Sequence, residues 1–151
     1  MLTGLPNRRL LMDRLGTVVA RSQAEHTVSA LLYLDIDKFK NVNDERGHAT
    51  GDLLLEHAAA RLQQAVCGSG LVARIGGDEF VVLLDSRDPC PDTAARHALE
   101  AATLVREALA APLDLKGKPY RIAANIGIAL ARPGGPGAHD LLREADTAMY
   151  H

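Results

Sequence analysis

The stretch Val28 to Ile36, VSALLYLDI, is almost continuously apolar until carboxylates arrive at Asp35 and Asp37, and no other feature of the chain constrains its fold as much. Strand side chains alternate between two faces, so apolar residues at nearly every position mean a strand covered on both. Its length also suits a strand better than a helix. The run therefore belongs inside a sheet with packing layers on both sides. Its acidic end must open onto something, because a buried carboxylate without a cation or donors is costly. The 151 residues, 47% of them apolar, suffice for one ordinary domain. A domain of that size buries roughly 70% of the surface its unfolded chain exposes and needs no disulfide or structural metal.

Around this strand, helix and strand patterns alternate without a linker, low-complexity tract or repeat. Pro6 suits a first helical turn, and Leu11, Leu15, Val18 and Val19 follow at helical spacing, predicting a helix over 6–24. A short turn or helix is expected over 39–44, and a second main helix over 52–66 carries Leu54, Ala58, Leu62 and Ala65 on one face. The β-rich runs 71–75 and 80–84 flank Gly76-Gly77-Asp78-Glu79, the pattern of a hairpin. Ala98, Ala101, Val105 and Ala108 give a third helix within 94–111, stopped by Pro112. Next, 113–115 and 120–130 flank Lys116-Gly117-Lys118 as a second hairpin, 133–137 is a loop, and Leu141, Ala145 and Ala148 begin a last helix. The expected order is αβααββαββα. This is an α+β sandwich with a mixed, mainly antiparallel central sheet and flanking helices, in a ferredoxin-like or polymerase-palm arrangement.

Composition narrows the function. With no Trp, two Phe and three Tyr, the chain lacks aromatic platforms for single-stranded nucleic acid, and a net charge of −2 lacks the basic excess of a phosphate-backbone binder. A nucleic-acid partner is disfavoured. No apolar run approaches the roughly 20 residues of a membrane span, and the start MLTGLPNRRLLMD contains no secretory pattern. Cys67 and Cys90 lie far apart without metal-ligand spacing and read as reduced thiols of a cytoplasmic domain.

Two segments carry chemistry. Asp35 and Asp37 stand at i and i+2, so on a strand both could approach one ion, or one could bind it while the other caps the next turn. Hard oxygen ligands favour Mg²⁺, and Lys38 and Lys40, with the amides of the Phe39 turn, suit phosphate oxygens. Helix capping and surface ion pairs explain the same residues equally well. In Arg74-Ile75-Gly76-Gly77-Asp78-Glu79-Phe80, the glycines permit positive φ and close ligand approach, and two adjacent anions at a hairpin rim need a metal or base to neutralise them. A plain hairpin turn is the competing reading. Arg74 itself either binds phosphate or pairs within the hairpin.

Leu2-Thr3-Gly4-Leu5-Pro6-Asn7-Arg8-Arg9, Asp35 to Asp44, Gly47-His48, Gly51-Asp52, Arg74 to Phe80 and Ala145 to Tyr150 together resemble the GGDEF domain of bacterial diguanylate cyclases over essentially the whole chain. The resemblance implies the nucleotide-cyclase-like form of the fold and condensation of two GTP into cyclic di-GMP with release of pyrophosphate. It implies Asp35, the Ile36 carbonyl, Asp78 and the adjacent Glu79 as ligands of two Mg²⁺ ions per GTP, with Mn²⁺ as an alternative. It further implies Asn43 and Asp52 as the guanine-reading pair with His48 in the same segment. Lys38, Phe39, Gly76 and Gly77 fall in the substrate-binding segments, Lys40 matches the lysine that stabilises the transition state, and Asp78 the proton acceptor. Two such domains, each holding one GTP, face each other in a catalytic homodimer.

Departures from the family pattern matter equally. The inhibitory Arg-x-x-Asp product site corresponds here to Cys67 and Gly70, so product inhibition through it is not expected. The family's last helix runs on to a Lys and an Arg that touch the phosphates, whereas this sequence stops at His151. The expectation is one GGDEF domain, 1–151, excised from a longer signalling protein with sensor or phosphodiesterase (EAL) domains that can be membrane-anchored, and truncated in its last helix. The alternatives are a GTP-binding regulatory module of an EAL protein, suggested by the Leu10 to Leu15 and Asp146 to Tyr150 runs, and a non-catalytic scaffold. His26, His57, His97 and His139 show no metal spacing and read as surface histidines, and the helix within 94–111 reads as core packing.

Overall fold

The computed structural model describes residues 3–149; Met1, Leu2, Tyr150 and His151 lie outside them, and with them the ends of two quoted motifs. The elements run α1 (Arg8–Glu25), β1 (Val28–Ile36), α2 (Phe39–Arg46), α3 (His48–Ala65), β2 (Gly70–Arg74), β3 (Glu79–Asp88), α4 (Pro91–Ala110), β4 (Leu113–Leu115), β5 (Lys118–Tyr120), β6 (Ala124–Ala131) and α5 (Ala138–Met149).

β1 lies inside a four-stranded sheet of order β2-β3-β1-β6. Every pairing in it is antiparallel: β1 with β3, β1 with β6, and β2 with β3. The mixed sheet expected from the helical crossovers is not formed, for a topological reason. The crossover through α2 and α3 does join two parallel strands, β1 and β2, but β3 folds back from β2 into the place between them. The crossover through α4 likewise separates β3 from β6 by β1. Parallel strands are thus never hydrogen-bonded neighbours, which is the ferredoxin-like split arrangement.

Both faces of β1 are covered, as its composition demands. Leu32 and Leu34 pack with Leu54, Leu62, Phe80, Val82, Val105 and Leu109 beneath α3 and α4. Leu31 and Tyr33 pack with Leu11, Leu15, Val81, Leu83, Leu141 and Met149 beneath α1 and α5. Burying one such leucine contributes about 1.5–3 kcal/mol, so the two aliphatic layers supply the stability that an aromatic core would otherwise give.

Two local expectations are corrected. α1 starts at Arg8 rather than Pro6, because Asn7 Oδ1 accepts the Leu10 N–H at 3.1 Å and so caps the helix. Pro6 stays outside, its carbonyl accepting from Arg74 N at 3.0 Å. The run 120–130 is not one strand. Lys116 and Gly117, with φ of 52° and 86°, close a tight two-residue turn between β4 and β5. That pair forms its own small sheet, and β6 begins afresh at Ala124.

Candidate functional site

The acidic end of β1 is flanked on both sides. Asp35 is the register partner of Glu79 on β3 and of Asn125 on β6. By strand alternation Asp35 lies on the Tyr33 face, and Ile36 is buried in the opposite layer. The strand stops at Ile36, whose N–H donates to the Asp78 carbonyl at 3.1 Å. Asp37 leaves the sheet there, its N–H donating to the Ala123 carbonyl at 2.8 Å. The strand alternation that would put Asp35 and Asp37 on one side thus ends before Asp37, and α2 has no side-chain cap; the register places Asp35 opposite Glu79.

The Gly76–Asp78 loop closes with the Ile75 N–H donating to the Glu79 carbonyl at 3.0 Å. Neither Gly76 nor Gly77 adopts positive φ, contrary to the sequence argument. The Glu79 side chain folds back over Gly76, where a Cβ would lie 2.5 Å from Glu79 Oε1, the mobile end of that side chain. At Gly77 a Cβ would meet nothing. Arg74 spends its guanidinium on the turn, donating to the Gly77 carbonyl from Nε at 3.2 Å and Nη2 at 2.8 Å. That places it in the hairpin-bracing role.

Glu79 sits in an acid-rich setting. Burial, the charges of Asp146 and Asp78 all hold its carboxyl above the usual range, while a hydrogen bond from Tyr33 and the charge of Arg8 act the other way. The Tyr33 phenol is itself pushed up, first by burial and then by Glu79 and Asp146. Tyr33 can reach because it stands diagonal to Glu79 across the β1–β3 ladder on the same face. A cleft of about 230 Å³ lined by Arg8, Tyr33, His139, Leu142, Arg143 and Asp146 opens beside this group. Tyr33, Arg8 and Asp146 were not assigned roles from sequence. Asp146 stood in a quoted motif, but helical spacing does not say which strand end a helix will meet. Among the described residues, no three His, Cys, Asp or Glu side chains converge as a metal-ligand set.

After β1 the chain turns into α2 through Lys38, a non-glycine residue at φ 59° that begins the helix without a side-chain cap. α3 begins at His48 after Gly47, also without one. The first amides of α2, beside the exposed Lys38 and Lys40, are thus left with no side-chain cap. α2 and α3 pack so closely at Asn43 and Gly51 that a Cβ on Gly51 would lie 1.7 Å from Asn43 Oδ1. That oxygen is buried with no hydrogen-bond partner among the described residues. With the oxygen taken up against Gly51, the amide retains its N–H₂ donor. Asp52, the next residue, is exposed one position along α3. The structure therefore brings Lys38, Phe39, Lys40, Asn43, His48 and Asp52 onto α2 and the start of α3, and Asp35, Ile36, Gly76, Gly77, Asp78 and Glu79 onto the adjoining sheet end.

Fold and site together define an α+β domain of ferredoxin-like topology with a carboxylate-bearing sheet end and an uncapped helix beside it. The chain belongs to the GGDEF family: the family described as "Diguanylate cyclase, GGDEF domain" matches residues 1–151. Among its relatives, the bifunctional diguanylate cyclase/cyclic di-GMP phosphodiesterase MucR of Pseudomonas aeruginosa is 43% identical over 99% of this chain and 21% of MucR. Diguanylate cyclase DgcP of the same organism is 39% identical over 99% of this chain and 21% of DgcP. Of solved structures, the GGDEF domain of P. aeruginosa TpbB superposes with a TM-score of 0.89 at 37% identity, covering 98% of this chain and 89% of that one. The GGDEF domain of Caulobacter crescentus DgcB, in complex with c-di-GMP, gives 0.88 at 29% identity, covering 99% of this chain and 86% of that one. The chain spans about a fifth of the length of MucR and DgcP. Among the described residues no helix is long and apolar enough to cross a membrane.

Proposed function

We propose that this domain binds GTP at the junction of α2 with the Asp35–Glu79 sheet end and, paired with a second copy, condenses two GTP into cyclic di-GMP and pyrophosphate. The observation that carries the reading is the register pairing of Asp35 with Glu79 beside the uncapped start of α2. One feature suits a metal, the other a phosphate chain. Lys38, Lys40 and the first amides of α2 offer donors to phosphate oxygens, while Asn43 and Asp52 offer a donor and an acceptor to the guanine edge. Asp52 accepts from the guanine N1–H and exocyclic amine, so adenine would leave it unpaired.

The residues fit Mg²⁺, or Mn²⁺ in its place. The donors are hard oxygens, and Glu79 holds its proton more tightly than an ordinary carboxyl because burial desolvates it and Asp146 and Asp78 crowd it, a condition that a divalent cation relieves. Asp35, the Ile36 carbonyl, Asp78 and Glu79 would hold the ions, which when bound neutralise charge on the phosphates and on the departing pyrophosphate. Asp78 stands to accept the proton of the attacking 3′-hydroxyl, and Lys40 to stabilise the transition state. The rest of catalysis is positioning of two nucleotides, one per domain, so the rate should depend on dimerisation. Incubation of the chain with GTP and Mg²⁺, followed by chromatography of the products, tests this: Asp78→Ala should abolish cyclic di-GMP while leaving the fold intact. Undiminished synthesis by that variant sinks the assignment.

A second reading is favoured by the likeness to MucR, whose name joins cyclase and phosphodiesterase. In it, this domain is a GTP-binding regulator within a longer cytoplasmic or membrane-anchored protein carrying sensor or EAL domains. GTP-stimulated hydrolysis of cyclic di-GMP by the full-length protein, without synthesis, distinguishes that case.

A further inference from the structure

The short helix that carries the proposed base-selecting amide is held at two places, and the second uses a residue of the separate β4–β5 sheet. α2 has eight residues, well below the length at which a helix stands alone in water, and Val42 is its one fully buried side chain. Its position must therefore come from its contacts. Asn43 packs against Gly51 of α3. One turn further on, the Arg46 guanidinium lies over the ring of Tyr120, 5.6 Å from its centre. Arg46 Nη1 is buried with no hydrogen-bond acceptor among the described residues, so the aromatic face is what compensates this desolvated cation. The Tyr120 phenol is held up mainly by burial, with Arg46 lowering it and the Asp37 charge raising it.

Tyr120 makes a firm anchor. It ends β5, whose partner strand β4 buries Leu113 and Leu115, and Ile122 just beyond is buried as well. Arg61 of α3 donates from Nη1 to the Leu109 carbonyl at 2.8 Å and the Ala111 carbonyl at 2.5 Å, tying α3 to the segment that leads into this hairpin. α3 and the β4–β5 hairpin thus belong to one frame, against which α2 rests through Asn43 and Arg46. Asn43 and Arg46 stand at i and i+3, neighbours on the same side of α2, so a tilt at Arg46 moves Asn43.

We infer that the Arg46–Tyr120 stack is the positioning contact that sets the orientation of α2, so that Tyr120, acting through Arg46, governs GTP affinity. This rests on the nucleotide site proposed above. The test is calorimetric titration of the 151-residue chain with 3′-deoxy-GTP, which lacks the attacking hydroxyl and cannot condense. Tyr120→Leu and Arg46→Met should each weaken binding about 2- to 30-fold, the range expected for loss of a partly desolvated cation–π contact. Tyr120→Phe, which keeps the ring, should bind within about twofold of the parent, and the Tyr120→Leu/Arg46→Met double variant should be no weaker than the worse single. Parental affinity in either single variant, additive losses in the double, or Tyr120→Phe as weak as Tyr120→Leu overturns the inference while leaving the site reading in place. Should Tyr120→Leu fail to fold, Arg46→Met and Tyr120→Phe decide the matter. A parent chain that does not bind the probe overturns the site reading and this inference with it.

Discussion

Gly51→Ala separates stability from recognition. The new Cβ would fall 1.7 Å from Asn43 Oδ1 and 3.4 Å from Phe39 Cε1. The phenyl contact is tolerable, so what must move is the end of one flexible side chain, the Asn43 amide. Within a helix, alanine is favoured over glycine by roughly 0.5–1 kcal/mol. Asn43 Oδ1 is buried without a hydrogen-bond partner among the described residues, so releasing it to water removes a liability that costs about 1–3 kcal/mol when such a group is trapped. Both effects oppose the steric cost, and the fold should hold: the melting temperature should fall by no more than roughly 4 °C, the equivalent of about 1 kcal/mol at this size. Recognition should not hold. A displaced amide would lose the proposed contact with the purine edge, and a polar pair of that kind is worth about 1–3 kcal/mol, or about 5- to 150-fold in affinity. The assay is paired: thermal melting by circular dichroism, and competitive binding of GTP against ATP. A variant that melts as the parent does and still prefers GTP to the same degree refutes the reasoning that Gly51 seats Asn43.

The close approaches at Gly127 and Gly70 behave differently because they involve backbone. A Cβ on Gly127 would lie 2.0 Å from the Ala145 carbonyl and 2.5 Å from Met149 N, so Gly127→Ala must push α5 off β6; a loss of about 1–3 kcal/mol, lowering the melting temperature roughly 2–12 °C, is expected in a thermal melt. Cys67 is exposed and Gly70 opens β2 with its Cβ direction 2.2 Å from the Leu83 carbonyl, so Cys67→Arg/Gly70→Asp should destabilise rather than install a product site, and calorimetry should detect no tight cyclic di-GMP binding to parent or variant monomers at that place. Hydrogen bonds from Thr93, side chain and backbone, hold the Cys90 thiol below the usual range. A lowered thiol pKa means more thiolate at a given pH below it, so alkylation of Cys90 by iodoacetamide should gain its rate at lower pH than a free thiol does, and Thr93→Val should slow it at pH near 7. Equal rates in the two proteins would contradict this.

How much of this was readable beforehand follows from the range of each interaction. The doubly covered strand at 28–36, the hairpin at 76–79 and the helical stripes are local consequences of side-chain alternation and spacing, so sequence alone determined the elements, the two packing layers and the family. The carboxylates, Asn43 and Asp52 and the lysines of the turn stand out in the sequence by residue type and order, and the roles proposed for them rest on that pattern. Sequence misjudged what depends on where a strand stops or which strand slips between two others. Spacing places Asp37 beside Asp35, yet β1 ends at Ile36 and Asp37 lies near enough to Tyr120 to act on its phenol; a Gly-Gly turn suggests positive φ, yet Gly76 has none and lies under the Glu79 side chain. Only the tertiary structure decided that Asp35 faces Glu79, that Asp146 and Tyr33 crowd that pair, and that Tyr120 reaches Arg46 from a separate small sheet. Each of these joins residues far apart in the chain, and their meeting is set by the insertion of β3 between β1 and β2 and by the docking of α5 and the β4–β5 hairpin, none of which leaves a periodic trace in the sequence.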